Sequence, residues 1–356
     1  MKMKQLSTVV LLAISFVSVG FSITMANWQG AAAGDANHPV GTGSWSGPFW
    51  NSPPTNIAAA PASPGDEIKI SKPKKVCTVD SNVGNYICKL SLSGGPDVAT
   101  APKLEIVKGG HLGIGEFRVG AGGSAKTGTI GCVVQTGGTL CMGDDMKLGR
   151  SSTSADNPND GKGYYTISGG TIMPSATAPR ASLCIGGNGS SATASEGTFK
   201  VIGKGASIKV KKLFVGNDGY KGVGTGTLEF AIDANGVSPV QATDSVTIDA
   251  GGASSTAKLV ISATGTPPKS DIVLVDNQGN NPITGIFDTV NGNPAAEGAE
   301  VAVSCAAGKY YYKLTYAGGT GSNDIMLKFV RQEAAAPAAP ATAVTPVTAA
   351  PAPAAK

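Results

Sequence analysis

Three groups of residues in this 356-residue chain have types and spacings that could do chemistry. The first is the acidic pair Asp144-Asp145, with Arg150 shortly after it. Clustered carboxylates beside a cationic side chain, often with Ca²⁺, are what polysaccharide lyases and hydrolases use. Neighbouring strand residues point to opposite faces, so the pair can share one site only on a turn, which Gly143 favours. The simpler expectation is a solvated corner. Asn217-Asp218-Gly219 and Asn323-Asp324 likewise read first as turns and only weakly as ligand sets.

The second group is Trp45, Phe49 and Trp50. Aromatic faces can stack on sugars, and these three are the sugar-binding candidates. The alternative is that they cover the open end of the fold. The third group is six cysteines: Cys77, Cys88, Cys132, Cys141, Cys184 and Cys305. Close spacing makes Cys77–Cys88 and Cys132–Cys141 candidate local disulfides, leaving Cys184 and Cys305 as a long-range pair or free thiols. The sequence does not choose among the possible connectivities. No Cys-x-x-Cys occurs, and His38 and His111 are the only histidines. No catalytic residue, metal or cofactor is therefore expected.

The chain that must position these residues starts with an export signal. Lys2 and Lys4 precede an apolar run from Val9 to Phe21, and Thr24-Met25-Ala26 suits cleavage. A membrane anchor competes with this reading, but Ser15, Ser18, Gly20 and Ser22 interrupt the run. With 1–26 removed, 26 basic and 24 acidic residues remain. No transmembrane segment is then expected, and such a balance gives no reason to expect nucleic acid. The basic run Lys69–Lys75 has no interleaved aromatics to stack bases. Export also places the cysteines where disulfides persist.

With 50 Gly, 22 Pro and no heptad pattern, the chain is neither coiled coil nor collagen-like, and its 41% apolar content argues against general disorder. Residues 27–65 form a Trp-containing segment and 331–356 an Ala/Pro-rich tail, expected to be disordered. Between them, 66–330 is a series of short alternating β-branched segments.

These segments repeat in a fixed order. A strand meets a Gly turn (Gly109-Gly110, Gly137-Gly138, Gly169-Gly170, Gly203-Lys204-Gly205). A later strand closes on an apolar residue and Gly (Val119-Gly120, Leu148-Gly149, Ile185-Gly186, Val215-Gly216). Restarts at Gly128, Gly163, Gly197 and Gly226 are 35, 34 and 29 residues apart. Stacked coils bury a continuous apolar column that one coil cannot bury alone. The order therefore predicts a parallel β-solenoid. A β-sandwich would not require both glycine signals in sequence. The inward set is expected to include Phe117, Ile130, Met146, Leu183, Val201 and Leu228.

The pattern resembles the secreted bacterial proteins with autotransporter-associated β-strand repeats, often found with a PEP-CTERM sorting tail. The likeness rests on Trp45–Trp50 with Pro64–Ile70, on Val215–Gly219 and Gly226-Thr227-Leu228, and on the closing segments Gly285-Ile286-Phe287, Tyr310–Tyr316 and Asn323–Leu327. It implies a right-handed parallel β-helix outside the bacterial cell. A Pro-Glu-Pro motif and a translocating barrel are not present in the sequence. The expectation is an all-β, non-enzymatic structural or adhesive rod in a surface layer, matrix or fibre. Self-association through Tyr310, Tyr311, Tyr312 and Tyr316, or contact with surface polysaccharide, would be its partnership. The alternative is a polysaccharide-binding protein, or a lyase or hydrolase on the same scaffold.

Overall fold

A computed structural model describes residues 25–27, 67–71, 76–82, 87–121, 129–150, 161–178, 180–186, 195–216, 224–248, 255–321 and 323–335. The described elements are all β, in a 14-stranded and a 9-stranded sheet. No helix among them is long and apolar enough to cross a membrane. The Trp-containing segment and the expected tail beyond Ala335 lie outside the described residues, as does the signal up to Thr24.

β1 (Met25–Asn27) and β2 (Glu67–Ile70) open the larger sheet, and β3 (Val76–Val79) opens the smaller. The chain then alternates between them. β4 (Ile87–Leu92) and β6 (His111–Ala121) join the larger sheet, while β5 (Lys103–Ile106) and β7 (Thr129–Gln135) join the smaller. β8 (Thr139–Met142) and β9 (Met146–Arg150) split one passage across the larger sheet. After β10 (Gly161–Ile167) in the smaller sheet, β11 (Gly170–Pro174) and β12 (Ser182–Ile185) split the next. β13 (Ser195–Ile202), β15 (Gly224–Ile232) and β17 (Thr256–Ala263) continue the smaller sheet. β14 (Ala206–Val215), β16 (Val240–Ile248) and β18 (Ile272–Asn277) continue the larger. Pairing through these coils is parallel, giving a β-solenoid of about six turns.

Stacking in register builds the core. In the smaller sheet Leu104, Val133, Tyr165, Phe199, Leu228, Leu259 and Val290 lie one above another. Facing them are Ile68, Leu90, Phe117, Met146, Leu183, Leu213 and Val246. All of these side chains are buried, and each such burial is worth about 1.5–3 kcal/mol. One polar pair interrupts the column. Tyr165 Oη donates to Gln135 Oε1 at 2.6 Å, and Gln135 Nε2 donates to the Thr171 carbonyl at 3.2 Å. Both side chains are thereby satisfied inside an apolar stack.

The register corrects one sequence reading. Gly163 lies opposite Gly131, not Gly128, so successive restarts are 32, 34 and 29 residues apart. A shift of an odd number of residues exchanges the two faces of a strand. Ile130 therefore leaves the inner column and packs outside the smaller sheet with Ala101 and Cys132. Val133 and Gln135 point inward instead.

The glycines that signalled the repeat form a seam between the sheets. A Cβ on Gly163 would overlap the Val119 carbonyl and the Gly149 amide. One on Gly197 would overlap the Leu148 carbonyl and the Gly186 amide. The apolar-Gly corner of one coil thus sits directly on the backbone of the strand that starts the next. Gly149 and Gly186 also have φ of 71° and 74°, where a side chain is strained.

The C-terminal end departs from parallel stacking. β19 (Thr289–Val290) and β20 (Asn293–Pro294) form a hairpin on Asn291-Gly292, whose φ values of 49° and 81° suit a two-residue turn. β21 (Glu300–Cys305), β22 (Gly308–Gly318) and β23 (Asp324–Ala334) form an antiparallel meander, with β23 pairing against β18. β23 runs to Ala334.

Side chains finish the exposed ladders at this end. Asn291 Oδ1 accepts from the Ile261 amide at 2.8 Å, and its Nδ2 donates to the Ile261 carbonyl at 3.0 Å. Asp288 accepts from the Ala257 amide at 2.7 Å. At the end of β18, Asp324 accepts from the Asn277 amide and Asn323 donates to the Asn277 carbonyl, at 3.0 and 2.9 Å. These groups occupy the places that a further strand would take.

The seam gives a direct test. Gly163 does not have positive φ, so a methyl there acts through space alone. Gly163→Ala should destabilise the chain by about 1–3 kcal/mol in denaturant unfolding, as overpacking does. Thr198→Ala, on the outer face, should change it by about 0.5 kcal/mol or less. Equal effects would contradict the seam.

Candidate functional site

The strongest charged cluster lies on the outer face of the larger sheet and contains the acidic pair. β6 contributes Glu116 and Arg118, and β9 contributes Lys147. Asp144 and Asp145 occupy the bend between β8 and β9, as expected from Gly143. Arg180 comes from the segment before β12. The cluster therefore joins three successive coils.

Its charges are matched across those coils. Glu116 meets Arg118 at 2.5 Å and Lys147 at 2.8 Å. Lys147 also reaches Asp145 at 3.7 Å, and Arg180 stands 4.0 Å from Asp145. Burial pushes the Glu116 carboxyl up, but hydrogen bonds from Arg118 and Lys147 outweigh it and hold the group at about 2. Burial, then the charge of Asp145, pushes Asp144 above the usual carboxylate range. One oxygen each of Asp144 and Asp145 is buried and accepts no hydrogen bond among the described residues. Arg150 lies at the end of β9, beside Ala121 in register. Asp145 pairs with Lys147 and Arg180, and the charges of Arg180, Lys147 and Glu116 act on Asp144. The pair expected at a solvated corner is drawn into this cluster, with Asp145 buried, and Glu116, Lys147 and Arg180 were not among the residues singled out in the sequence. Glu116 and Lys147 are 31 residues apart, close to one coil, and that spacing was the available signal.

The other candidates disperse. Trp45, Phe49, Trp50, His38 and Asn217–Gly219 lie outside the described residues. His111 is exposed at the start of β6. Among the described residues no group of three His, Cys, Asp or Glu side chains is placed to hold a metal ion.

No disulfide joins the six cysteines, against the disulfide expectation. Cys77 points into the core from the smaller sheet, whereas Cys88 is exposed on the larger sheet. Closeness in sequence fails as a guide because the chain changes sheet between them. Cys132 and Cys141 are separated in the same way, on β7 and β8. Cys184 is buried on β12, and Cys305 is part-buried at the end of β21. Burial pushes the Cys77 thiol well above its usual value and Cys132 to about 11.

The tyrosines complete the last coil. Tyr310 and Tyr312 are buried, and Tyr312 Oη donates to the Pro268 carbonyl at 2.6 Å. Tyr316 Oη donates to the Ala295 carbonyl at 2.8 Å and accepts from the Phe287 amide at 3.1 Å. Tyr311 donates to Glu333 at 2.7 Å, beneath the Arg331 guanidinium 3.9 Å from its ring centre.

A second feature lies outside the smaller sheet. A groove of about 680 Å³ runs over β3, β5, β7 and β10, lined by Val76, Val98, Lys103, Cys132, Tyr164 and Thr166 among others. Beyond it the outer face continues through Thr198, Thr225 and Thr227, with ion pairs Lys162–Glu196 and Lys200–Glu229 at 2.9 and 2.7 Å.

No family model, curated protein or solved structure matches the chain.

Glu116 makes the cluster testable by pH. Its folded value of about 2 lies below the unfolded 4.5, so its contribution is full above pH 4.5 and is lost as pH falls through 2. Glu116→Gln should lower unfolding stability by about 3 kcal/mol near neutral pH, following the size of the shift. The difference from wild type should shrink toward zero near pH 2. A deficit that stays constant across that window would contradict the assignment.

Proposed function

We propose that this chain is a secreted, non-enzymatic structural protein, a right-handed β-helix rod that builds a bacterial surface layer, matrix or fibre. The observation that carries this reading is how the best acidic candidate is used. Glu116, Lys147, Asp145 and Arg180 link three successive coils through opposite charges. Such a staple strengthens a stack, the mechanical need of a rod, and two further cross-coil ion pairs do the same on the smaller sheet. The export signal and the likeness to autotransporter-associated repeat proteins support a place outside the cell.

A second reading, polysaccharide binding, is favoured by the groove beside Tyr164. A phenol ring, an amino group and hydroxyls along one flat face suit a sugar chain. The two readings are compatible in a matrix protein. Electron microscopy of the purified, processed protein tests the first, which expects rods, sheets or fibres and is contradicted by dispersed single particles at high concentration. In the same preparation, Tyr164→Ala should reduce retention on surface polysaccharide at least five-fold. Unchanged retention would remove the second reading.

A further inference from the structure

We propose that the outer edge of β21 is where a second copy of this chain adds, strand to strand and antiparallel, about a two-fold axis at Ala302. This rests on the self-assembling reading and supplies one of its contacts, a closed pair that a layer or fibre would join through others. β21 is the last strand of the larger sheet and pairs only with β22. The neighbouring ladder ends are closed by Asp288, Asn291, Asn323 and Asp324. Among the described residues, no such side chain closes β21.

The pairing pattern fixes which groups are available. Leu314 donates from its amide to the Ala299 carbonyl at 2.9 Å. The β21–β22 register then runs without a shift, so Val301, Val303 and Cys305 follow Ala299 in bonding to β22. The main-chain groups of Glu300, Ala302 and Ser304 point to the open edge. Their side chains are exposed, while Val301 and Val303 are buried beneath the sheet.

The residue types suit a copy of the same strand. Edges protected against pairing usually carry Lys, Pro or a bulge, and Glu300–Cys305 has none. Its single charge is neutralised by Arg331, which meets the two Glu300 oxygens at 2.8 and 3.2 Å. An axis at Ala302 sets Ala302 opposite its own copy, Glu300 opposite Ser304, and Val301 opposite Val303. Inner side chains then meet inner ones, small outer residues meet outer ones, and the outward main-chain groups are paired. The contact is isologous and closes as a dimer.

Light scattering and sedimentation over a concentration series test this with the full processed chain. The wild type should associate. Ala302→Lys places like charges face to face across the axis and should raise the concentration for half-association at least ten-fold, with an unchanged unfolding midpoint. An equal mixture of Ala302→Lys and Ala302→Glu should restore association. Ala302→Pro removes an outward amide without touching a bond to β22, and should also abolish the contact. Association unaltered in Ala302→Lys and Ala302→Pro would overturn the edge assignment while leaving an assembling rod in place. A wild type that stays monomeric throughout would overturn both.

Discussion

The rest of the structure depends on the close approach of backbone to backbone where the two sheets meet. At Gly163 and Gly197 the strand that begins a coil lies against the corner that ended an earlier one, with no room for a Cβ. That contact fixes the angle between the sheets and the height of each coil. Once it is fixed, Tyr165 must lie over Val133 and under Phe199, and the apolar column follows.

Stacking of this kind has a consequence for charge. Outward side chains repeat at strand spacing, about 4.8 Å, so like charges in one column would repel through the whole stack. The chain places opposite charges on adjacent coils instead: Lys162 beside Glu196, Lys200 beside Glu229, and Glu116 beside Lys147. The same strand regularity makes the ends hazardous. At the C-terminal end the chain reverses into an antiparallel meander, buries Tyr310 and Tyr312 over the column, and occupies ladder positions with Asn and Asp side chains.

Much of the fold was legible because glycine and apolar periodicity are local signals. Phe117, Met146, Leu183 and Val201 follow from alternation alone. Ile130 did not, because Gly128 and Gly131 are both plausible restarts and only pairing with Gly163 decides between them. The terminal hairpin carried a local signal too, the Asn291-Gly292 pair, which the repeat pattern overshadowed. The site was less legible. Asp144 and Asp145 were visible as an acidic pair, but their partners come from other coils, and sequence order does not report which strand lies beside which. The cysteine spacing misleads for the same reason: Cys77 and Cys88, like Cys132 and Cys141, are close in the chain but lie on different sheets.

The central claim is direct stacking of one coil on the next in this register. Nuclear Overhauser contacts between aromatic and methyl protons measure it in solution. Ring contacts are expected between Tyr165 and Phe199, whose centroids lie 5.3 Å apart, and from Phe199 to the Leu228 methyls, with Leu228 in turn reaching Leu259. If these side chains instead contact only residues of neighbouring hairpin strands, as in an antiparallel sandwich, the solenoid and everything built on it are contradicted.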